Sequence, residues 1–270
     1  MNEYAQVTDE TPPPYDLIGD VHGCIDELRE LLAALGYVED PHSGVWHPDG
    51  RTLIFLGDLA DRGPGGLEVW RLVLAGLEYG VARFVPGNHD SKLARYFQGR
   101  DVRISHGFEQ TVGELAALPV GERTLLADLI CRTILDAPPY LLLDQDRLVA
   151  AHAGVEEWMI GGNSRQISIF ARFGEKTGEH NALGLPLRRD WAGTYQGRPL
   201  IVYGHTPTPE PIFRNNTINI DQGCAFGGRL TALRYPELTT VSVPARRVYA
   251  HPSIAEQMAL LTNAALAADD

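Results

Sequence analysis

Lysine is nearly absent from this 270-residue chain: it occurs only at Lys92 and Lys176, and arginine supplies almost all the positive charge. Acidic side chains outnumber basic ones, for a net charge of −12. That balance argues against a general nucleic-acid or anionic-membrane binder, because such proteins carry a basic surplus that releases counterions from the polyanion. Arginine still offers forked contacts to phosphate wherever a local pocket needs them. Cysteine is scarce as well. Cys24, Cys131 and Cys224 lie far apart and form no C-x-x-C pair, which gives neither a zinc ligand set nor a disulfide framework and leaves reduced, buried thiols. No apolar run approaches the length that spans a bilayer. Residues 1–10 are acidic and polar, without the basic-then-apolar order of a secretion signal. A cytoplasmic protein without membrane contact is expected, and nothing in the chain speaks to its oligomeric state.

Hydrophobic residues make up 44% of the chain, enough for one sizeable core. Residues 1–13 end in prolines and read as a flexible lead-in, 14–250 as one α/β domain, and 251–270 as a terminal helix and tail, with Ser253 and Glu256 at capping-box spacing. The first ninety residues predict β-α-β-α-β. Tyr15–Ile18, Thr52–Phe55 and Val81–Val85 are too short for helices and fit buried strands. Between the first two lies 37–50, a loop or short hairpin carrying Trp46. The stretch 91–137 is helical in pattern, with His106 as a surface or capping histidine. Tyr140–Leu143 and Leu148–Ala151 predict a hairpin, and 161–197 a long insertion without strong periodicity. Further strands are expected at 200–203, 217–220, 230–234 and 239–243.

Chemistry-bearing residues gather in the loops at the strand ends. The first strand runs into Gly19-Asp20-Val21-His22-Gly23, the second into Gly57-Asp58-Leu59-Ala60-Asp61-Arg62-Gly63, the third into Gly87-Asn88-His89-Asp90, and two later ones into His152 and Gly204-His205. Open α/β sheets place ligands at the carboxyl ends of their strands. Carboxylate, imidazole and amide oxygen together suit Mn²⁺, Fe²⁺, Zn²⁺ or Mg²⁺. With Asp58 shared, Asp20, His22 and Asp58 would hold one metal, and Asp58, Asn88, His152 and His205 the other. Two such cations activate water and neutralise charge in phosphate ester hydrolysis. Arg62 can fork onto phosphoryl oxygens, His89 can protonate the leaving oxygen, and Asp61 can orient that imidazole. Each loop alone has a plainer reading, as a turn, a surface ion pair or a core histidine. Their order and their position at strand ends favour the site.

The set resembles the calcineurin-like metallophosphoesterases of the phosphoprotein-phosphatase type, whose motifs are G-D-x-H-G, G-D-x-x-D-R-G, G-N-H-[ED], a later H-A/G and G-H; here they run in order from Gly19 to His205. The resemblance implies a four-layer α-β-β-α sandwich with mixed sheets and two divalent metals, Mn first, with Fe, Zn, Ni or Mg as alternatives. Gly184–Ala192, Val202–Pro207, Asn215–Asp221 and Gly223–Glu237 are similar to two bacterial branches. One comprises stand-alone bis(5'-nucleosyl)-tetraphosphatases, the other the phosphatase module of an RNA-repair polynucleotide kinase-phosphatase. No G-x-x-x-x-G-K-[ST] stretch occurs, so the kinase half is missing. Asp90 stands where eukaryotic protein phosphatases carry Glu, and Asp61-Arg62 where purple acid phosphatases need Tyr. A second phosphate arginine is expected among Arg165, Arg172, Arg188 and Arg189; Arg188 is favoured because it lies in a motif shared with the bacterial branches, beside a plain surface role. Asp221 is expected to buttress a ligand histidine or simply to end a strand. The function implied is hydrolysis of a nucleotide phosphoester or phosphoanhydride, such as a bis(5'-nucleosyl)-tetraphosphate. The alternatives are a protein serine/threonine or tyrosine phosphatase, an RNA-repair 2',3'-phosphatase module, and a non-catalytic partner.

Overall fold

The computed structural model describes residues 14–40, 44–180, 186–253 and 257, with backbone alone at 176–180 and 186–188. The lead-in expected over 1–13 lies outside these residues, as does the terminal helix apart from Ser253 and Gln257. In chain order, β1 (Tyr15–Ile18) leads to α1 (Ile25–Leu35), a small hairpin of β2 (Val38–Asp40) and β3 (Gly44–Trp46), then β4 (Thr52–Phe55), α2 (Gly66–Glu78) and β5 (Ala82–Phe84). The helices α3 (Asn88–Phe97), α4 (Phe108–Ala117) and α5 (Val120–Asp136) come next, then β6 (Tyr140–Leu143) and β7 (Leu148–Ala151). The remainder comprises α6 (Arg165–Phe173), β8 (Lys176–His180), β9 (Pro186–Arg188), β10 (Leu200–Tyr203), β11 (Phe213–Arg214), β12 (Thr217–Asn219), β13 (Asp221–Gln222), β14 (Arg229–Tyr235) and β15 (Thr239–Pro244).

One sheet has the order β13-β14-β1-β4-β5, with β15 also on β14; β1, β4 and β5 are parallel and β14 runs against β1. The other has the order β11-β12-β10-β7-β6, with β7, β10 and β12 parallel. Side chains alternate across each strand, and this sorts the core into layers. Ile18, Leu53 and Phe55 meet Leu28, Leu31, Trp70 and Val73 of α1 and α2. Leu17, Ile54 and Leu56 meet Leu148, Ala150, Val202 and Ile218 of the opposing sheet. On that sheet's far side Val149, Ala151 and Ile201 pack against Ile167 and Phe170 of α6 and against Trp191. The layers are therefore helix, sheet, sheet, helix, the expected sandwich with mixed sheets. Among the described residues no helix is long and apolar enough to cross a membrane.

The insertion after residue 161 holds more order than its weak periodicity suggests. Ser164 caps α6, its hydroxyl oxygen accepting from Ile167 N at 3.3 Å, and Ile167, Phe170 and Ala171 turn one face inward. The helix is tied directly to a site loop, because Ala153 N donates to Ala171 O at 2.7 Å.

Candidate metal centre

Five of the candidate site residues have left-handed backbones: His22 (φ 47°), Asp58 (φ 50°), Asp61 (φ 72°), Arg62 (φ 70°) and His205 (φ 74°). Each such position costs a residue with a side chain about 1–3 kcal/mol and persists only where its surroundings over-determine it. Here every one of the five amides is held. His22 N donates to Asp58 O at 2.8 Å and Arg62 N to Gly107 O at 3.0 Å. Asp58 N donates to Asp90 Oδ2 at 2.7 Å, Asp61 N to Thr111 Oγ1 at 3.0 Å, and His205 N to Asp20 Oδ1 at 3.2 Å. Two glycines let the carboxylates approach: a Cβ on Gly87 would lie 2.0 Å from Asp58 Oδ1, and one on Gly204 2.2 Å from Asp20 Oδ1.

The imidazoles reveal what the centre is built for. His22 Nδ1 meets Ala60 O at 3.1 Å and His152 Nδ1 meets Leu56 O at 2.8 Å. A carbonyl oxygen only accepts, so each ring carries its proton on Nδ1 and turns a lone pair outward from Nε2. Those two Nε2 atoms lie 3.6 Å and 3.5 Å from the same oxygen, Asp58 Oδ2. His152 Nε2 is also 3.0 Å from Asn88 Oδ1 and 3.1 Å from His205 Nδ1. A buried carboxylate oxygen between two lone-pair nitrogens is repelled by both, and a cation among them converts repulsion into ligation. Burial, then the positive charge of Arg62, holds His22 well below the usual histidine range, which keeps it neutral and able to ligate. Among the described residues Asp58 belongs to two groups whose donor atoms lie within 4.8 Å of one another, one with His22 and His89, the other with His152 and His205. The donor set therefore fits divalent ions.

Asp20 stands slightly apart, with Oδ1 4.0 Å from His152 Nδ1. Burial, then Asp221 and Asp58, push its carboxyl well above the usual range, a crowding of negative charge that a cation relieves. Asp221 Oδ1 accepts from Gly223 N at 2.9 Å. Asp90 serves as a clamp that the third motif alone did not reveal. Its Oδ2 also accepts from Gly87 N at 2.8 Å, and its Oδ1 from Leu59 N at 3.3 Å. Burial and the neighbouring Asp58 push Asp90 up to about 7, against those amide bonds.

Beside the ligands sits a proton-handling pair. His89 Nδ1 lies 2.5 Å from Asp61 Oδ2, and Arg62 Nη2 lies 3.3 Å from His89 Nε2. The Asp61 carboxylate can only accept, so His89 holds its proton on Nδ1 and offers Nε2 toward the arginine. Thr111, on α4 and unnoticed in the sequence, fixes Asp61 twice: its hydroxyl donates to Asp61 Oδ1 at 2.5 Å and accepts the Asp61 amide. Thr111→Val keeps the shape and removes both bonds. It is expected to lower kcat on an arylphosphate by roughly tenfold with metal content unchanged, because partners that orient a working group cost about that much; metal analysis beside steady-state kinetics checks it.

Among the candidate arginines, Arg188 lies in β9 and its side chain is outside the described residues. Arg172 lies in the last turn of α6 next to the Ala171–Ala153 link; its buried Nε has no hydrogen-bond partner among the described residues, and burial lowers its pKa against the pull of Asp90. Sequence distance misled for the thiols. Cys24 and Cys224 meet beside the buried Glu27, with donor atoms within 4.8 Å, although all three cysteines are free.

A two-sheet sandwich with acids and histidines gathered around one shared aspartate at its strand ends is that of a metal-dependent phosphoesterase. The chain belongs to the calcineurin-like phosphoesterase family, whose model matches residues 13–209. It is 51% identical over 229 residues to the bis(5'-nucleosyl)-tetraphosphatase PrpE (asymmetrical) of Geobacillus thermodenitrificans strain NG80-2, covering 85% of this chain and 93% of that one. Among solved structures, a protein provisionally described as a diadenosine tetraphosphatase aligns with a TM-score of 0.61 at 23% identity, covering 87% of this chain and 95% of the other. A cold-active protein-tyrosine phosphatase of a psychrophilic Shewanella aligns at 0.51 and 16%, covering 87% and 81%. These two likenesses concern the fold alone.

Proposed function

We propose that this chain is a phosphohydrolase of nucleotide phosphoanhydrides or phosphoesters, with bis(5'-nucleosyl)-tetraphosphates first. The observation that carries the reading is Asp58, common to two groups of ligand atoms. Asp20, His22 and Asp58 would hold one divalent ion, and Asp58, Asn88, His152 and His205 the second, with Mn²⁺ first and Fe, Zn, Ni or Mg as alternatives. Bound there, such a pair activates water and offsets the charge that develops on the phosphoryl group. The side chains supply the rest. Arg62 forks onto phosphoryl oxygens, which frees the His89 Nε2 lone pair to take a proton from solvent, and the imidazolium so formed passes that proton to the leaving oxygen. Asp61 steadies the imidazole as it takes on charge. Arg172, whose buried Nε has no hydrogen-bond partner among the described residues, is the second guanidinium with a geometric case, and Arg188 is the one favoured by motif. Asp221 is a candidate to buttress a ligand histidine, and its charge adds to the negative crowding at Asp20 that a cation would relieve. A cytoplasmic location accords with the sequence.

The nucleotide assignment is supported by the name of the relative at 51% identity. Metal analysis and a substrate panel on one sample test it. With Mn²⁺, kcat/KM for diadenosine tetraphosphate is expected to exceed that for phosphoserine and phosphotyrosine peptides by roughly a hundredfold or more. Equal rates would favour a protein phosphatase, and a loaded sample without any turnover a non-catalytic partner.

A further inference from the structure

We propose that a cavity beside Arg62 receives the nucleoside of the substrate, so that one guanidinium serves the phosphates on one side and borders the base on the other. The inference rests on the phosphohydrolase reading and adds where the base goes. The cavity measures about 370 Å³ and is lined by Arg62, His106, Gln110, Phe226, Tyr249 and His251, among others. That volume falls within the roughly 300–1,000 Å³ of small-molecule sites. Arg62 joins the two regions. Its Nη2 lies 3.3 Å from His89 Nε2 while its Cζ sits 4.5 Å above the Phe226 ring, so a phosphate on this guanidinium has the cavity next to it.

The walls match a purine or pyrimidine nucleoside better than a phosphoserine peptide. A base needs flat apolar surface and a few edge partners. Phe226 and Tyr249 supply rings, and the Gln110 amide offers both a donor and an acceptor. The arrangement is also built. Tyr249 OH donates to the buried Glu27 Oε1 at 2.8 Å, and Arg247 Cζ lies 5.0 Å from the Tyr249 ring centre. The loop carrying His106 is bound to the arginine by Arg62 N donating to Gly107 O at 3.0 Å. The recess is lined by Glu109 as well as by Arg62, so the phosphates fall to the guanidinium and the uncharged base to the rings. A phosphoserine side chain has no ring to fill it.

The test uses the metal-loaded full chain and two variants that leave Arg62 intact. Ala250→Trp fills the cavity from its wall, and His106→Ala removes an exposed part of it. The preference for diadenosine tetraphosphate over p-nitrophenyl phosphate, as a ratio of kcat/KM, is expected to fall roughly ten- to a hundredfold in Ala250→Trp and less, in the same direction, in His106→Ala. Calorimetric titration with adenosine 5'-monophosphate is expected to show binding to the parent protein and none to Ala250→Trp. A ratio that stays constant, or adenosine 5'-monophosphate affinity unaltered by both variants, overturns the proposal. Should the parent cleave no phosphoester at all, the phosphohydrolase reading fails, and the nucleotide titration still decides the cavity.

Discussion

Asp58→Asn is expected to cost at least about 10³-fold in kcat/KM on any phosphoester, or roughly 4 kcal/mol of transition-state stabilisation, while the protein stays folded. The geometry explains both halves. Asp58 Oδ1 accepts the His89 amide at 2.9 Å, and an amide oxygen can keep that bond. The introduced NH2 then lies where Oδ2 stood, 3.6 Å and 3.5 Å from the lone-pair nitrogens of His22 and His152. It can donate toward them, so the substitution replaces cation binding with weak hydrogen bonding instead of leaving a hole. Circular dichroism should therefore be unchanged while metal content falls. A variant that keeps full turnover would remove the bridging role and the mechanism with it.

His89→Ala is the second large effect, and its size should depend on the leaving group. A positioned general acid contributes about 10²–10⁴-fold. That loss is expected on an alkyl phosphate, whose leaving alkoxide needs a proton. On p-nitrophenyl phosphate, whose leaving phenolate is already stable, the loss should be far smaller. Metal content should be unchanged in both assays. Equal losses on the two substrates would point to a ligand or positioning role for His89, an outcome made concrete by its closeness to His22, with ring centroids 4.8 Å apart.

Much of this site is legible in the chain because its residues sit where strands stop. Asp20, Asp58, Asn88, His152 and His205 each come after a short apolar run; parallel pairing of β1 with β4 and β4 with β5 carries the first three run ends to one edge, and that of β7 with β10 carries the last two to the edge of the other sheet. What escapes is contact between distant segments. Thr111 lies within an unremarkable helix pattern, and nothing local marks it as the partner of Asp61 fifty residues earlier. Asp90 looks like the tail of a motif, yet its value is in the amides it collects. Cys24 and Cys224 seem unrelated until β14 returns beside β1. The helix α6 was legible in principle: Ser164 with Ile167, Phe170 and Ala171 after it is a cap and an apolar stripe, obscured by the glycines and arginines around it.

The two halves of the centre come from different sheets. His22, Asp58 and Asn88 lie just past strands of the first, and His152 and His205 just past strands of the second. An ion held by Asp58, Asn88, His152 and His205 would act as a rivet through a seam whose remaining adhesion is apolar packing between Leu17, Ile54 and Leu56 and the facing strands. Since ligand binding to the native state alone adds to its stability, loading and cohesion of the sandwich become one property, and a fragment carrying either sheet by itself would own only part of a binding site.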